Sequence, residues 1–210
     1  MNTADTKSIE LFTIGHSNRT FTDFLALLKE FEIQALVDIR RFPSSKKFPH
    51  FNRGSLEEEL ALTDIRYYWL EPLGGRRNTA NKEASPNQAL ETTAFRNYAD
   101  HMLTPEFRKS IDELLGTARS QRTTVMCAEK LFWKCHRRLL CDHLLAQNIT
   151  AQHIIDPGRL QRHKLTAEAR IEGDHVVYPL PLLAGSKLSQ PSTSETGKDF
   201  SRKAAKDAKN

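Results

Sequence analysis

Short apolar runs alternate along the chain with segments in which apolar residues recur at helical spacing. The runs 9–14, 33–39, 65–70, 123–126 and 149–155 are rich in β-branched or aromatic residues, which predicts five buried strands. After the first run, Thr20 and Asp23 predict a capped helix whose apolar face consists of Phe21, Phe24, Leu25, Leu28 and Phe31. Since strand and helix alternate, we expect an α/β fold with a single doubly wound, mainly parallel sheet, a three-layer sandwich of the Rossmann or flavodoxin type.

The other connections predict further helices. Ser55 and Glu58 have the spacing of a capping box, so a helix is expected from Ser55 to about Leu62. Two helices are expected between the third and fourth strands, around 95–102 and 105–115, and a short helix over 166–171. Residues 175–178 predict a short strand or an extended segment. The helix after the fourth strand has its apolar face at Leu139, Leu140, Leu144 and Leu145.

The folded region is expected to be one domain over residues 9–184. Residues 1–8 are expected to be a flexible N-terminus, and residues 185–210, rich in Ser, Lys and Ala, a disordered basic tail. The polar stretch 78–88 has no periodicity, which predicts either disorder or a mobile lid over a site.

Composition narrows the class of protein more than net charge does. The chain has 210 residues, of which 39% are hydrophobic and 27% charged, and its apolar runs are too short to cross a bilayer. The start lacks a signal pattern and three cysteines are too few for a disulfide scaffold, so we expect a cytoplasmic protein without a membrane partner. From Lys187 onward, six basic and three acidic residues leave +3 of the net +5 in the tail, so overall charge is weak evidence for a nucleic-acid site.

The loop after the fourth strand has the strongest chemical signal in the chain. Cys127, Glu129, Cys135 and His136 lie in or beside it, where parallel sheets bind ligands. Cys135 is expected in the first turn of the next helix, whose dipole, together with Arg137, favours a thiolate. A thiolate could be a nucleophile, a redox group or a metal ligand, and the same helix start could instead bind a phosphate. The alternative is that the cysteines are small buried hydrophobic residues.

A second signal is the stretch 39–53, which contains no acidic residue. Basic side chains that could pair with phosphates alternate there with possible stacking surfaces, and two prolines stiffen the loop. The alternative is that its phenylalanines anchor the loop to the core. The basic residues are Arg40, Arg41, Lys46, Lys47 and Arg53, and the phenylalanines are Phe42, Phe48 and Phe51.

Paired glycines follow the third strand. Gly74 and Gly75 allow close approach of the backbone to a ligand, and Arg76 and Arg77 could hold an anion. A plain tight turn is the alternative interpretation.

Several short motifs, taken in order, resemble the domain-of-unknown-function family DUF488 over about residues 9–157. They are Thr13-Ile14-Gly15-His16-Ser17, Asp38-Ile39-Arg40 with Pro43-Ser44, Leu73-Gly74-Gly75, Cys127-Ala128-Glu129, Cys135-His136-Arg137 and His153-Ile154. The resemblance implies a compact α/β domain with these motifs at one end of its sheet. The activity of the family is unsettled, and some members have DNA-repair labels.

The first hypothesis is an enzyme that acts on a nucleotide or nucleic acid, because these polar residues follow four predicted strands and should line one crevice. Cys135 or Cys127 would be the nucleophile, His136 or His16 the base, and Glu129 a proton carrier. Binding of substrate or phosphate is assigned to Ser17, Asp38, Arg40, Ser44, Gly74, Gly75 and Arg137.

Two other hypotheses stay open. The chain could be a non-catalytic nucleic-acid-binding module, an accessory DNA-repair factor, that uses Arg41, Lys46, Lys47 and Arg53. It could also have a reversible Cys127–Cys135 disulfide or a metal site, although no compact metal-ligand spacing is present. Since GxGxxG, Walker and HExxH motifs are absent, no cofactor and no metal are predicted. The expected partner is nucleic acid or a phosphate-bearing small molecule, and the oligomeric state is not predicted.

Overall fold

A six-stranded sheet is the centre of the computed structural model, which describes residues 9–78 and 85–181. Its strands are β1 (Glu10–Gly15), β2 (Ala35–Asp38), β3 (Arg66–Trp69), β4 (Thr123–Cys127), β5 (Thr150–Asp156) and β6 (Arg159–Arg162), in the order β3-β2-β4-β1-β5-β6. The first five pair in parallel and β6 pairs antiparallel with β5. A separate hairpin consists of β7 (Arg170–Glu172) and β8 (His175–Val177).

The described residues contain five α-helices. They are α1 (Phe21–Glu30), α2 (Arg53–Ala61), α3 (Thr93–Met102), α4 (Pro105–Ser120) and α5 (Arg137–Ala146). The hydroxyl of Thr20 accepts from the backbone N–H of Asp23, which confirms the predicted cap of α1. The prediction of an α/β fold with a mainly parallel sheet is therefore confirmed.

Two apolar clusters cover the two faces of the sheet. In β1, Leu11 points into the cluster beneath α3, α4 and α5, whereas Phe12 points into the cluster beneath α1 and α2. Val125 and Met126 divide in the same way in β4. Since successive side chains of a strand point to opposite faces, the helices enclose the sheet from both sides.

The strand order places a topological switch at β4. It differs from the order 3-2-1-4-5-6 of dinucleotide-binding folds and from the order 2-1-3-4-5 of flavodoxin, because β4 lies between β2 and β1. The chain leaves β1 and β2 toward helices on one face, and it leaves β4 toward α5 on the other face. Connections that diverge in this way open a crevice at the carboxyl end of β4.

Three local predictions are wrong. Helix α2 begins at Arg53 after Asn52, so Ser55 lies within the helix and does not cap it. No helix forms over 166–171, where a turn leads into β7 at Arg170. Cys135 precedes α5, because a 3-10 turn over Phe132–Lys134 comes first and the helix begins only at Arg137. Strand β6 was missed because all four of its residues are exposed and give no apolar signal.

Some predictions lie outside the described residues. These are the flexible segment 1–8, the basic tail 185–210, and most of the 78–88 stretch, of which 79–84 is outside. Within the described ranges, none of the helices has the length and apolar character needed to cross a membrane.

Candidate functional site

Two adjoining cavities open at the carboxyl ends of the parallel strands. The first has a volume of about 720 Å³ and contains Cys127, Cys135 and His136 in its wall. The second, of about 610 Å³, is lined by His16, Ser17 and Lys47, among others. They share Arg40, Phe42, Ser44, Ala128 and Glu129, so together they form one cleft, as expected of a switch point.

The thiols of Cys127 and Cys135 share one imidazole. The Nδ1 atom of His136 lies 3.8 Å from Cys127 Sγ and 3.6 Å from Cys135 Sγ. Cys127 ends β4 and Cys135 follows the 3-10 turn, so the loop folds back to bring the two sulfurs together. All three cysteines of the chain are free thiols.

The pKa values of the two thiols are shifted in opposite directions. The hydrogen bond to Cys135 and burial raise the pKa of Cys127 well above its usual value. Burial alone would raise the pKa of Cys135 as well, but the hydrogen bond from Cys127, the interactions with His136 and the charge of Arg137 hold it well below its usual value. Cys135 is therefore the more acidic thiol of the pair, and Cys127 is the one that keeps its proton.

Arg137 is a buried cation behind this loop. Its side chain is 1% exposed, and among the described residues no carboxylate lies within salt-bridge distance of it. Its Nη2 donates to the carbonyls of Glu129 and Lys130, and its Nη1 to the hydroxyl of Thr13. Arg137 therefore holds the loop and supplies positive potential from behind it, and it lines neither cavity, so its predicted contact with substrate phosphate stays a prediction.

His16 is a weaker base than the sequence suggested. Its Nδ1 is hydrogen-bonded to the carbonyl of Ser17, so Nδ1 carries the proton and Nε2 accepts from Arg40 Nη1 at 3.3 Å. Burial and the neighbouring charge of Arg40 lower its pKa to about 4. The ring stacks on Phe51 with centroids 4.2 Å apart. His16 is thus a neutral wall of the cleft at pH 7.

Asp38 positions Arg40 and does not itself face the cleft. The fully buried carboxylate accepts from Arg40 Nε at 2.9 Å and from Tyr67 Oη at 2.8 Å. Arg40 also donates to the carbonyl of Phe51, and Trp69 Nε1 donates to the carbonyl of Arg40 at 2.9 Å. Because Arg40 lines both cavities, this network fixes a cation at the centre of the cleft.

The paired glycines approach the protein's own chain. A Cβ on Gly75 would lie 2.5 Å from His136 Nδ1, and one on Gly74 would lie 2.7 Å from the backbone nitrogen of Arg41. Gly75 lines the first cavity, whereas Gly74 is buried behind it. The expected close approach is present, but its partners are His136 and Arg41.

The basic stretch 39–53 divides into engaged and accessible residues. Arg41 pairs with Glu71, and Arg53 pairs with Glu57 and covers the ring of Trp69. Lys47 lines the second cavity, whereas Lys46 lies in neither wall.

The three phenylalanines of this stretch have different roles. Phe51 is buried in the core, as the anchoring alternative predicted, and Phe48 is half-buried. Phe42 is 62% exposed and lines both cavities, so it is the aromatic surface that a ligand can reach.

Two residue groups have the composition of a metal site. The donor atoms of Cys127, Cys135 and His136 lie within 4.8 Å of one another. A metal-bound histidine normally donates its other ring N–H, but the buried Nε2 of His136 has no partner among the described residues. The arrangement therefore fits a proton shared between sulfurs and imidazole better than a metal ion.

The second group consists of Cys141, His153 and His163. The ring nitrogens of both histidines are hydrogen-bonded to Thr13, to each other and to Asp142. Because hydrogen bonds occupy all four nitrogens, a metal would have to displace existing contacts.

Sequence reasoning missed several residues of the cleft. Lys134 and Phe95 line the first cavity, while Tyr67 and Trp69 support Arg40 from β3. Lys134 lies one residue before Cys135, so its proximity was a usable signal. The roles of Tyr67 and Trp69 follow from the pairing of β2 with β3, which no local pattern reveals.

Fold and cleft together define an α/β protein with a thiol-bearing site at the switch point of a mainly parallel sheet. The model of the family described as "Domain of unknown function DUF488" matches residues 20–144, and the chain belongs to this family. The match includes the Asp38, Gly74, Cys127 and Cys135 motifs. No curated protein matches the chain. No solved structure matches it either.

Proposed function

We propose that the protein is an enzyme that acts on a phosphate-bearing substrate, a nucleotide or a nucleic acid, with the Cys135 thiolate as its nucleophile. The observation that carries this proposal is the position of the Cys127–Cys135 thiol pair in the wall of a cleft rich in cations. A thiolate that is stabilised in a cleft is the usual form of a catalytic cysteine. The site lies at the carboxyl ends of the strands, as in Rossmann-like and flavodoxin-like proteins.

Charge in the cleft favours an anionic substrate. Glu129 is the one carboxylate in the described walls, against six cations: Arg40, Arg41, Lys47, Arg76, Lys130 and Lys134. Of these, Lys47, Arg76 and Lys134 form no salt bridge with any described residue, so they are the ones free to pair with phosphate oxygens.

The other polar groups have supporting roles in this proposal. Cys127 keeps its proton, and His136 Nδ1 lies close enough to both sulfurs to exchange a proton with them. Glu129 reaches both cavities and is the candidate proton carrier, while Ser17 and Ser44 offer hydroxyls to the substrate.

The first test measures the pH dependence of iodoacetamide alkylation at each cysteine by peptide mass spectrometry, with and without a single-stranded oligonucleotide. Cys135 should react with a midpoint below the ordinary thiol value of about 8.5, and the oligonucleotide should protect it. Cys141 lines neither cavity and should show neither the low midpoint nor the protection, so it is the internal control. Ordinary or absent reactivity at Cys135 contradicts the nucleophile.

The Cys135→Ser variant then separates chemistry from binding. In a screen of nucleotides and oligonucleotides, it should lose turnover while its affinity for substrate changes little, and Cys141→Ser should keep both. Turnover that persists in Cys135→Ser would remove Cys135 from the reaction.

A second candidate function is a non-catalytic nucleic-acid-binding module, which the exposed Phe42 ring beside Lys47 favours. For this function, affinity for an oligonucleotide should fall steeply with salt and no substrate should turn over. A role in DNA repair suits either function. Because the thiols are free, we propose a reducing compartment, the cytoplasm.

A further inference from the structure

A chain of four hydrogen bonds connects Arg137 with the buried carboxylate of Asp142. Arg137 Nη1 donates to Thr13 Oγ1 at 3.3 Å, and Thr13 Oγ1 lies 2.7 Å from His153 Nδ1. His153 Nε2 lies 3.0 Å from His163 Nδ1, and His163 Nε2 lies 2.9 Å from Asp142 Oδ1. All five side chains are buried, so water does not replace these contacts.

The chemistry of the groups gives the chain a direction. Asp142 also accepts from Tyr178 Oη and from the backbone N–H of Thr166, so its role toward His163 is that of an acceptor. His163 therefore carries its proton on Nε2 and accepts on Nδ1, which makes His153 the donor there.

The direction continues to the other end. His153 Nδ1 is then left as an acceptor, and it accepts a hydrogen bond from the hydroxyl of Thr13. Thr13 turns its lone pairs toward Arg137. Burial and the neighbouring His163 lower the pKa of His153 to about 2, so this ring stays neutral, as the chain requires.

We propose that Asp142, His163, His153 and Thr13 are a relay that helps to fix the Arg137 guanidinium behind the cleft and thereby favours the ionised form of Cys135. The inference rests on the proposed function only in that it concerns the same thiolate. It assigns these four residues positioning roles, since none of them lines either cavity.

The relay accounts for a buried cation that has no adjacent carboxylate in the part of the chain that the structure describes. Arg137 and Asp142 are the two ends of an ion pair that three neutral groups separate. Polarised hydrogen bonds strengthen one another, so the carboxylate makes the oxygen of Thr13 a better acceptor for the guanidinium. Without that acceptor, Arg137 would keep fewer partners and would be held less firmly, and its field at Cys135 would weaken.

Other charges around Cys135 stay in place when the relay is cut. Cys127 faces it from β4, His136 lies at the start of α5, and Tyr98 lies on α3. The titratable and charged groups of the cavity wall are Arg40, Arg41, Arg76, Glu129 and Lys134. None of them changes when Thr13 or His163 is replaced, so a shift in the ionisation of Cys135 reports on the relay.

The experiment compares alkylation profiles of Cys135 in variants that cut the relay without changing its charge. Thr13→Val keeps the shape of the side chain but removes the hydroxyl, and it should raise the midpoint by about one pH unit, which makes alkylation below the midpoint about tenfold slower. Thr13→Ser keeps the hydroxyl and should restore the profile of the wild type. His163→Phe cuts the relay nearer Asp142 and should raise the midpoint in the same direction.

Tyr178→Phe is the matched control for buried packing. Tyr178 donates to Asp142 Oδ2 at 2.8 Å but lies outside the path to Arg137. This variant should lose stability in thermal unfolding yet leave the profile of Cys135 unchanged. His163 and Tyr178 both donate to Asp142. If the relay had only a structural role, His163→Phe and Tyr178→Phe would shift the alkylation midpoint of Cys135 by the same amount.

A double-mutant cycle completes the test. Once Thr13→Val has cut the relay, adding His163→Phe should not move the midpoint further, because both changes act through one path. A low wild-type midpoint that both single variants leave unchanged overturns the relay alone. An ordinary wild-type midpoint overturns the relay together with the nucleophile of the proposed function.

Discussion

The backbone of Gly75 packs directly against the imidazole of His136. A Cβ at position 75 would lie 2.5 Å from Nδ1, the atom that also lies within 4 Å of both thiols. The turn after β3 therefore packs against the same edge of the imidazole that the two sulfurs approach, and it leaves no room there for a side chain at position 75. This contact connects two motifs that are more than fifty residues apart in the sequence.

Replacing Gly75 with alanine should perturb the thiol site. The new methyl group would displace the imidazole, so the pH midpoint of Cys135 alkylation should rise and the protein should be destabilised by about 1–3 kcal/mol, as in other overpacked sites. Gly116→Ala is the matched control, since Gly116 lies in α4 with open space around its Cβ position. That change should stabilise the protein by about 0.5–1 kcal/mol and leave Cys135 unaffected. An unaltered profile in Gly75→Ala would show that the contact does not hold His136.

Acid should destabilise the protein between pH 6.5 and about 4 because of His16. The unfolded chain binds a proton at His16 near pH 6.5, but the folded protein binds it only near pH 4, so stability rises with pH between these values. The contribution is fully present above pH 6.5, amounts to about 3 kcal/mol, and is lost as the pH falls to about 4.

Urea unfolding from pH 4.5 to 7.5 measures this effect, and His16→Gln should flatten the curve. His143, whose pKa burial also lowers to about 4, should give the same result in His143→Gln. Because the two residues lie in different parts of the fold, the double variant should show the sum of the two effects. Curves that stay equally steep would mean that neither histidine folds in its neutral form.

The sequence revealed the sheet and the loop after β4 because their signals are local. Buried strands such as β4 are short runs of β-branched and apolar residues, and the cap at Thr20 is a pattern of four residues. The strand β6 and the start of α2 at Arg53 have no such signal, since the former is exposed and the latter has a cap residue without a side-chain hydrogen bond. For that reason β6 was missed and the start of α2 was placed wrongly.

The hydrogen bonds and salt bridges within the site depend on which strands pair in the folded protein, so they could not be predicted. The sequence identified Asp38, Arg40 and Arg137 as polar residues after strands, but not that Asp38 is fully buried or that Arg137 lies behind the loop. Whether a basic residue faces a ligand or a carboxylate depends on neighbours from other strands, as Tyr67 of β3 shows for Asp38. Sequence spacing therefore predicts which residues lie near the cleft, but not which of them line it and which support it from behind.

Removing the hydroxyl of Tyr67 should weaken the support of Arg40. Its hydrogen bond to the buried Asp38 carboxylate is of the charged kind, so Tyr67→Phe should reduce the free energy of unfolding by about 1.5–3 kcal/mol. Tyr68→Phe is the control, because among the described residues the hydroxyl of Tyr68 accepts only from the amide of Gln121, at 3.1 Å, and its loss should cost about 1 kcal/mol. Equal losses in urea unfolding would show that Asp38 does not depend on Tyr67.

The salt dependence of oligonucleotide binding should distinguish two adjacent lysines. Lys47 lines the second cavity and Lys46 lines neither cavity, although both side chains are exposed and carry the same charge. If the cleft holds the nucleic acid, Lys47→Ala should weaken binding and lower the slope of log affinity against log salt by about 1, since one phosphate contact is lost. Arg76→Ala should act in the same way from the first cavity.

Lys46→Ala has the same change in net charge and should leave the slope nearly as it is. Fluorescence anisotropy with a labelled single strand at several salt concentrations measures all three, and equal effects of the two lysine variants would place the nucleic acid on the outer face of the loop, away from the thiol cleft.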